Sequence, residues 1–190
     1  MEALLVSTLV VALAEIGDKT QLLALVLAAR FRRPVPIVLG ILVATAVNHA
    51  LAGAVGAWIA AAVGPSAMRW ILGLSFLAMA VWTLVPDRLD DTEDASTPRF
   101  GVFVTTLVAF FLVEMGDKTQ IATVALAAKY DSLAAVVAGT TAGMMIANVP
   151  AVLLGDVAAN RLPLKLVRTI AAGIFAVLGA LILGGFQATA

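Results

Sequence analysis

Two passages of this chain are copies of each other. Residues 13–31, LAEIGDKTQLLALVLAARF, align without a gap with residues 112–130, LVEMGDKTQIATVALAAKY, at an offset of 99, and 10 of the 19 positions are identical. Matches between Ala and Leu follow from composition, but the shared Glu, Gly, Asp, Lys, Thr and Gln do not. Beyond the passage the repeat thins to pairs at the same offset: Gly40 with Gly139, Gly56 with Gly155, Arg69 with Arg168 and Phe76 with Phe175. Self-similarity at a fixed offset marks a duplicated structural unit. The chain must therefore fold as two related halves.

The nature of the unit follows from hydropathy. Of 190 residues 62% are hydrophobic and 13% charged, with a mean hydropathy of +1.06, which lies outside the range of soluble domains. A spanning helix needs about 20 apolar residues. The sequence predicts six, over residues 4–28, 35–62, 69–86, 101–127, 133–157 and 168–186. The expected fold is all-α and polytopic, with repeats at 1–86 and 100–190 around an acidic linker, 87–99. Three spans per half is an odd number, so the second half must enter the membrane from the opposite side. That predicts two inverted repeats, an arrangement that places a transport site near midplane at the repeat interface.

Orientation follows from basic residues. Loops one, three and five carry Arg30, Arg32, Arg33, Arg88, Arg99, Arg161, Lys165 and Arg168, against Arg69 and Lys129 on the other side. The positive-inside rule puts the first set, and the linker with it, in the cytoplasm and both termini outside. The start, MEALLVSTLVV, lacks the basic region of a secretory signal, so the first apolar segment is expected to be retained. Lys plus Arg equals Asp plus Glu at 12 each, and there is no Cys. Nothing in the charge balance points to nucleic acid, and disulfides, thiolate metal sites and thiol catalysis are excluded.

Within this frame the signature acids stand out. Glu15 lies about eleven residues into its predicted helix, near the bilayer centre at 1.5 Å per residue, and Glu114 sits at a similar depth. Each central ionisable residue costs about 2.5–3.5 kcal/mol on insertion scales, so six of them would cost about 15–20 kcal/mol if charged and unpaired. Glu15 and Asp18 at i and i+3 project from the same helical face, which Gln21 extends, as Glu114, Asp117 and Gln120 do, while Lys19 and Lys118 point about 100° away. Inversion would turn Glu15, Asp18, Glu114 and Asp117 towards one cavity. Four carboxylates there require protons or a cation among them. With Lys19 and Lys118 as charge-balancing groups the empty site stands near minus two, which one divalent ion neutralises. Oxygen ligands with support from Thr20, Gln21, Thr119 and Gln120 suit manganese, calcium or magnesium. The expected cargo is thus a divalent cation exchanged for protons, with no resident cofactor.

Other residues carry two readings each. Gly17 and Gly116 before the aspartates mark either a helix break that lends backbone carbonyls to the site or close helix packing. Asn48 and Asn148 either extend the coordination sphere or form interhelical hydrogen bonds. His49, which aligns with Asn148, is either a proton relay or a structural His. Met144 and Met145 either offer soft sulfur or fill gaps. GTTAG at 139–143 fits a G-x-x-x-G contact for internal packing or a homodimer. Pro150, opposite Leu51, is expected to kink its helix.

EIGDKT and EMGDKT resemble the duplicated E-x-G-D-[KR]-[ST] signature of the calcium:cation antiporter-2 family. The resemblance covers both signatures, the six-helix layout and nearly the whole length. It implies divalent cation transport in exchange for protons, mostly manganese efflux in short bacterial members, with Glu15, Asp18, Glu114 and Asp117 as ligands. The missing amino-terminal extension of eukaryotic members points to a prokaryotic plasma membrane. Two other readings use the same acids: a passive cation channel, and an intramembrane aspartyl protease, whose G-x-G-D motif needs Gly where this chain has Glu15 and Glu114.

Overall fold

The computed structural model describes residues 1–85, 101–154 and 164–185. The described residues form helices throughout: α1 (Glu2–Glu15), α2 (Lys19–Phe31), α3 (Pro34–Ala62), α4 (Pro65–Thr83), α5 (Gly101–Glu114), α6 (Lys118–Lys129), α7 (Leu133–Leu154) and α8 (Leu164–Leu183). The linker at 87–99, with Arg88, Arg99, Arg161 and Gly155, lies outside them.

The first correction concerns the predicted spans 4–28 and 101–127. Each is two helices rather than one, parted immediately after Glu15 and Glu114. Gly17 (φ 80°) and Gly116 (φ 77°) take the left-handed conformation that only Gly enters without strain. Asp18 and Asp117 follow in extended conformation as the N-caps of α2 and α6. The two glycines therefore break their helices, although the Gly17 carbonyl accepts from Arg168 rather than facing the acids. As a consequence three described helices, Pro34–Ala62, Ser66–Thr83 and Leu133–Leu154, are long and apolar enough to cross a membrane alone, while Gly101–Glu114 and Arg168–Leu183 are shorter apolar helices.

Long helices surround the broken ones. α3 begins with Pro34 and α4 with Pro65, where a missing N–H costs nothing. α7 packs along α1, and α3 along α5 and α6. Small residues permit this. A Cβ on Gly139 would stand 2.5 Å from the Leu4 carbonyl oxygen and one on Gly143 2.6 Å from that of Thr8. The 139–143 motif is thus filled by α1 of the same chain and is not left open for a homodimer. Its repeat counterpart Gly40 meets Thr106 and Phe103 of α5 in the same manner. α4 and α8 pack on each other through Phe76 and Phe175, whose ring centroids are 6.1 Å apart.

The outside of the bundle is apolar. Leu5, Leu39, Trp58, Val81, Leu153 and Leu181 are all exposed. Such a surface suits lipid, whereas a soluble monomer rarely shows large contiguous apolar patches. The signature acids, with Thr20, Gln21, Asn48, His49, Thr119 and Asn148, are buried inside.

Candidate metal centre

Local chemistry explains why the chain breaks here. Lys19-Thr20-Gln21 follows the Asp18 cap, a D-x-x-Q pattern close to a capping box. Gln21 Oε1 accepts from the Gly17 N–H at 2.9 Å, and Gln120 Oε1 from the Gly116 N–H at 2.7 Å. Across each break a threonine reaches back to the glutamate: Thr20 Oγ1 donates to Glu15 Oε2 at 2.5 Å, and Thr119 Oγ1 donates to Glu114 Oε1. Each break thus satisfies its own glycine N–H and fixes its glutamate. The amino ends of α2 and α6, positive by the helix dipole, lie beside the acids.

The breaks meet in the interior. Glu15, Glu114 and Asp117 are buried, and one carboxylate oxygen from each lies within 4.8 Å of the others. Asp18, equally buried, stands outside this triangle. Its Oδ1 is 3.0 Å from Lys118 Nζ, while Lys19 Nζ is 3.5 Å from Asp117 Oδ1. The lysines therefore cross between the halves, each serving the aspartate of the other, and do not point away from the acids as a continuous helix would require. Lys118 is buried at 3% exposure and Lys19 partly open at 23%. The site is accordingly unequal: one aspartate joins the triangle and the other is held by a buried ammonium.

A second ring of groups comes from the long helices, again crosswise. Asn148 Nδ2 of α7 lies 3.4 Å from Glu15 Oε2, and His49 Nε2 of α3 lies 3.6 Å from Glu114 Oε1. Gln21 donates to the Ala147 carbonyl at 3.0 Å, and Gln120 donates to the Asn48 side-chain oxygen. Asn48 Nδ2 donates in turn to the Phe111 carbonyl at 3.3 Å. Asn48 thus ties α3 to the second break through Gln120 and to α5 through Phe111. Asn148 also donates to Met144 Sδ at 2.9 Å; Met144 is fully buried among apolar neighbours, and Met145 packs on the same core.

Periodicity alone missed the lysine crossing and the role of Arg168, whose Nη2 donates to the Gly17 carbonyl at 2.7 Å. The capping pattern D-x-x-Q after Gly was the available signal for the break. No sequence signal pairs Lys118 with Asp18, since the two lie in different halves.

Comparison with known proteins places the chain in a family. A profile of the family described as divalent cation/proton antiporter GDT1 matches residues 3–91 and again 102–188. A Vibrio cholerae protein named "Putative manganese exporter" is 52% identical over 176 residues, covering 92% of this chain and 87% of the relative. A GDT1-like protein of Synechocystis sp. is 32% identical over 185 residues, covering 88% and 89% respectively, and "GDT1-like protein 3" of Oryza sativa is 28% identical over 92% of this chain. No solved structure matches the chain. With nearly its whole length matched by the profile, the chain belongs to the GDT1 family of divalent cation/proton antiporters, which are transporters and not enzymes.

Proposed function

We propose that this protein exports manganese across the plasma membrane of a bacterium, each ion leaving in exchange for entering protons. The observation that carries the reading is the triangle of Glu15, Glu114 and Asp117 carboxylates, buried and within 4.8 Å of one another. Three anions so close in a low-dielectric interior need either a cation or protons among them, and a group that must hold one or the other exchanges them. Hard oxygen donors favour manganese, calcium or magnesium over soft-ligand metals. Manganese is preferred because the Vibrio cholerae relative carries that name.

In this reading Glu15, Glu114 and Asp117 bind the ion directly. The ammonium groups of Lys118 and Lys19 compete with it for Asp18 and Asp117. Thr20, Thr119, Gln21, Gln120, Asn48 and Asn148 hold the acids and the breaks in place, and His49 orients Glu114 as Asn148 orients Glu15. The chain crosses the bilayer six times, counting α1 with α2 and α5 with α6 as one crossing each. Its two halves are inverted, the loop 87–99 is cytoplasmic and both termini are outside. Inversion is supported by the bond from Tyr130 Oη, just past α6, to Glu2 Oε1 at the start of α1, 3.1 Å long. Equivalent broken helices that entered from the same side would bring like ends together.

In proteoliposomes, an inward manganese gradient should drive protons out, so that a trapped dye reports alkalinisation of the lumen in step with manganese uptake. Manganese entry without any pH change would overturn antiport and favour a channel. Glu15→Gln and Glu114→Gln should each abolish uptake, since an amide fits the space and exchanges neither ion. Full uptake in both would place the site elsewhere.

A further inference from the structure

The halves are alike in sequence but not in how α4 and α8 meet the two breaks. α8 packs on α1, and α4 packs on α6. The offset of 99 converts these contacts into α4 on α5 and α8 on α2, and among the described residues neither pair packs comparably. The apolar cores divide in the same way. Phe76, Met79 and Phe175 share a core with Val10 of α1 and Leu126 of α6, whereas the core around α2 and α5 includes no described residue of α4 or α8. Because Glu2 and Tyr130 join the far ends of α1 and α6, those two helices lie on one side of the breaks and α2 and α5 on the other. The α4/α8 pair is seated on the first side.

The same inequality appears at the glycines. Gly17 is buried and its carbonyl accepts from Arg168 Nη2 at 2.7 Å. At the offset of 99 these residues correspond to Arg69 and Gly116. Gly116 is exposed, and a Cβ there would meet nothing within 4 Å. Arg69 lies at the far end of α8 instead, its Nη1 3.6 Å from the place of a Cβ on Gly185.

We infer that Arg168 and Arg69 are alternate latches of the transport cycle: Arg168 holds the first break in the state described here, and Arg69 takes the Gly116 carbonyl in the opposite state. The exchange occurs as the α4/α8 pair moves from α1 and α6 onto α5 and α2. A break carbonyl inside a membrane needs a donor, and a guanidinium supplies a strong, charge-assisted one. Both arginines ride on one packed pair, joined by Phe76 and Phe175 and by Gly73 and Gly179. Seating one arginine therefore withdraws the other. Gly17 and Gly116 follow Glu15 and Glu114 by two residues, so each latch acts beside the ion cluster. Both arginines are positioning residues that bind no ion, and the inference rests on the antiport reading for its purpose.

The chain has no cysteine, so two symmetry-related spin-label pairs can be placed, Ile16→Cys with Thr169→Cys and Trp70→Cys with Met115→Cys. Electron–electron distance measurements in nanodiscs should give a short 16/169 separation and a longer 70/115 one. Arg168→Ala should raise the ratio of short to long 70/115 separations about tenfold, the loss expected of one charge-assisted bond, while Arg168→Lys, which keeps a charged donor, should shift it less. An unchanged 70/115 distribution in Arg168→Ala would overturn the latch. If that variant does not fold, Arg69→Ala carries the test: it should abolish every short 70/115 population that manganese or acid pH elicits, and persistence would overturn the proposal. The distances are read without flux. Exchange of distances with no manganese-coupled proton movement would reject antiport and leave the latches standing, and coupled flux with distances indifferent to both arginines would do the reverse.

Discussion

At the scale of single residues the lysines pair with the aspartates crosswise between the halves. Lys118 and Asp18 form a buried pair at 3.0 Å, and Lys19 and Asp117 a looser one at 3.5 Å. Removing one partner of a buried pair leaves a stranded charge and costs about 3–5 kcal/mol. Lys118→Met should therefore lower the unfolding temperature in detergent markedly, and the double change with Asp18→Asn should recover most of the loss. Lys19→Met should cost less, because solvent already reaches Lys19. A Lys118→Met protein as stable as the parent would show that Asp18 is neutralised by another group. His49 offers a second test. Its counterpart Asn148 stands beside Glu15 as His49 stands beside Glu114, so His49→Asn should retain manganese uptake if the ring only orients that carboxylate. Loss of uptake with folding intact would assign His49 to the proton path.

At the scale of elements, the breaks and the tight helix crossings respond to different physics. Gly116 has a φ of 77° and open space around it, so Gly116→Ala should cost only backbone strain, about 1–2 kcal/mol. Gly56 packs its Cα on the Val124 carbonyl, so Gly56→Ala must part α3 from α6, an overpacking cost of about 1–3 kcal/mol. Thermal unfolding measures both. Flux separates them further: the Gly116 change alters the conformation beside Glu114 and should slow uptake beyond its effect on stability. Equal flux in the two variants would show that the break has no part in the ion's path.

At the scale of the whole molecule, an ion that binds the folded cluster from both halves must clamp the halves together. Manganese at 100 times its dissociation constant should add about 2.7 kcal/mol of stability, seen as a rise in unfolding temperature. That rise should vanish in the Glu15→Gln, Glu114→Gln double variant. An undiminished rise there would place binding outside the triangle. The crossed contacts also predict coupling. Because Asn148 and Gln21 tie the first break to α7, and Gln120 and His49 tie the second to α3, neither half is expected to fold a complete site alone.

Membrane class, internal duplication and the burial of the signature acids were legible in the sequence, because hydropathy and repetition are properties of the chain taken residue by residue. The helix ends at Pro34 and Pro65 were near their expected places for the same reason. The breaks after Glu15 and Glu114 were half legible: Gly followed by D-x-x-Q carries the capping chemistry, but a 3.6-residue pattern read through it suggests an unbroken stripe. Only the tertiary structure could place Lys118 on Asp18, leave three carboxylates in the triangle, fill the 139–143 motif with α1, and seat α4 and α8 on one side of the breaks. Each of these is a contact between the two halves of the chain or a choice between symmetric alternatives. A sequence whose two halves are nearly equivalent in their signatures does not encode locally which of two equivalent packings is occupied; that is settled by the summed contacts of the folded chain.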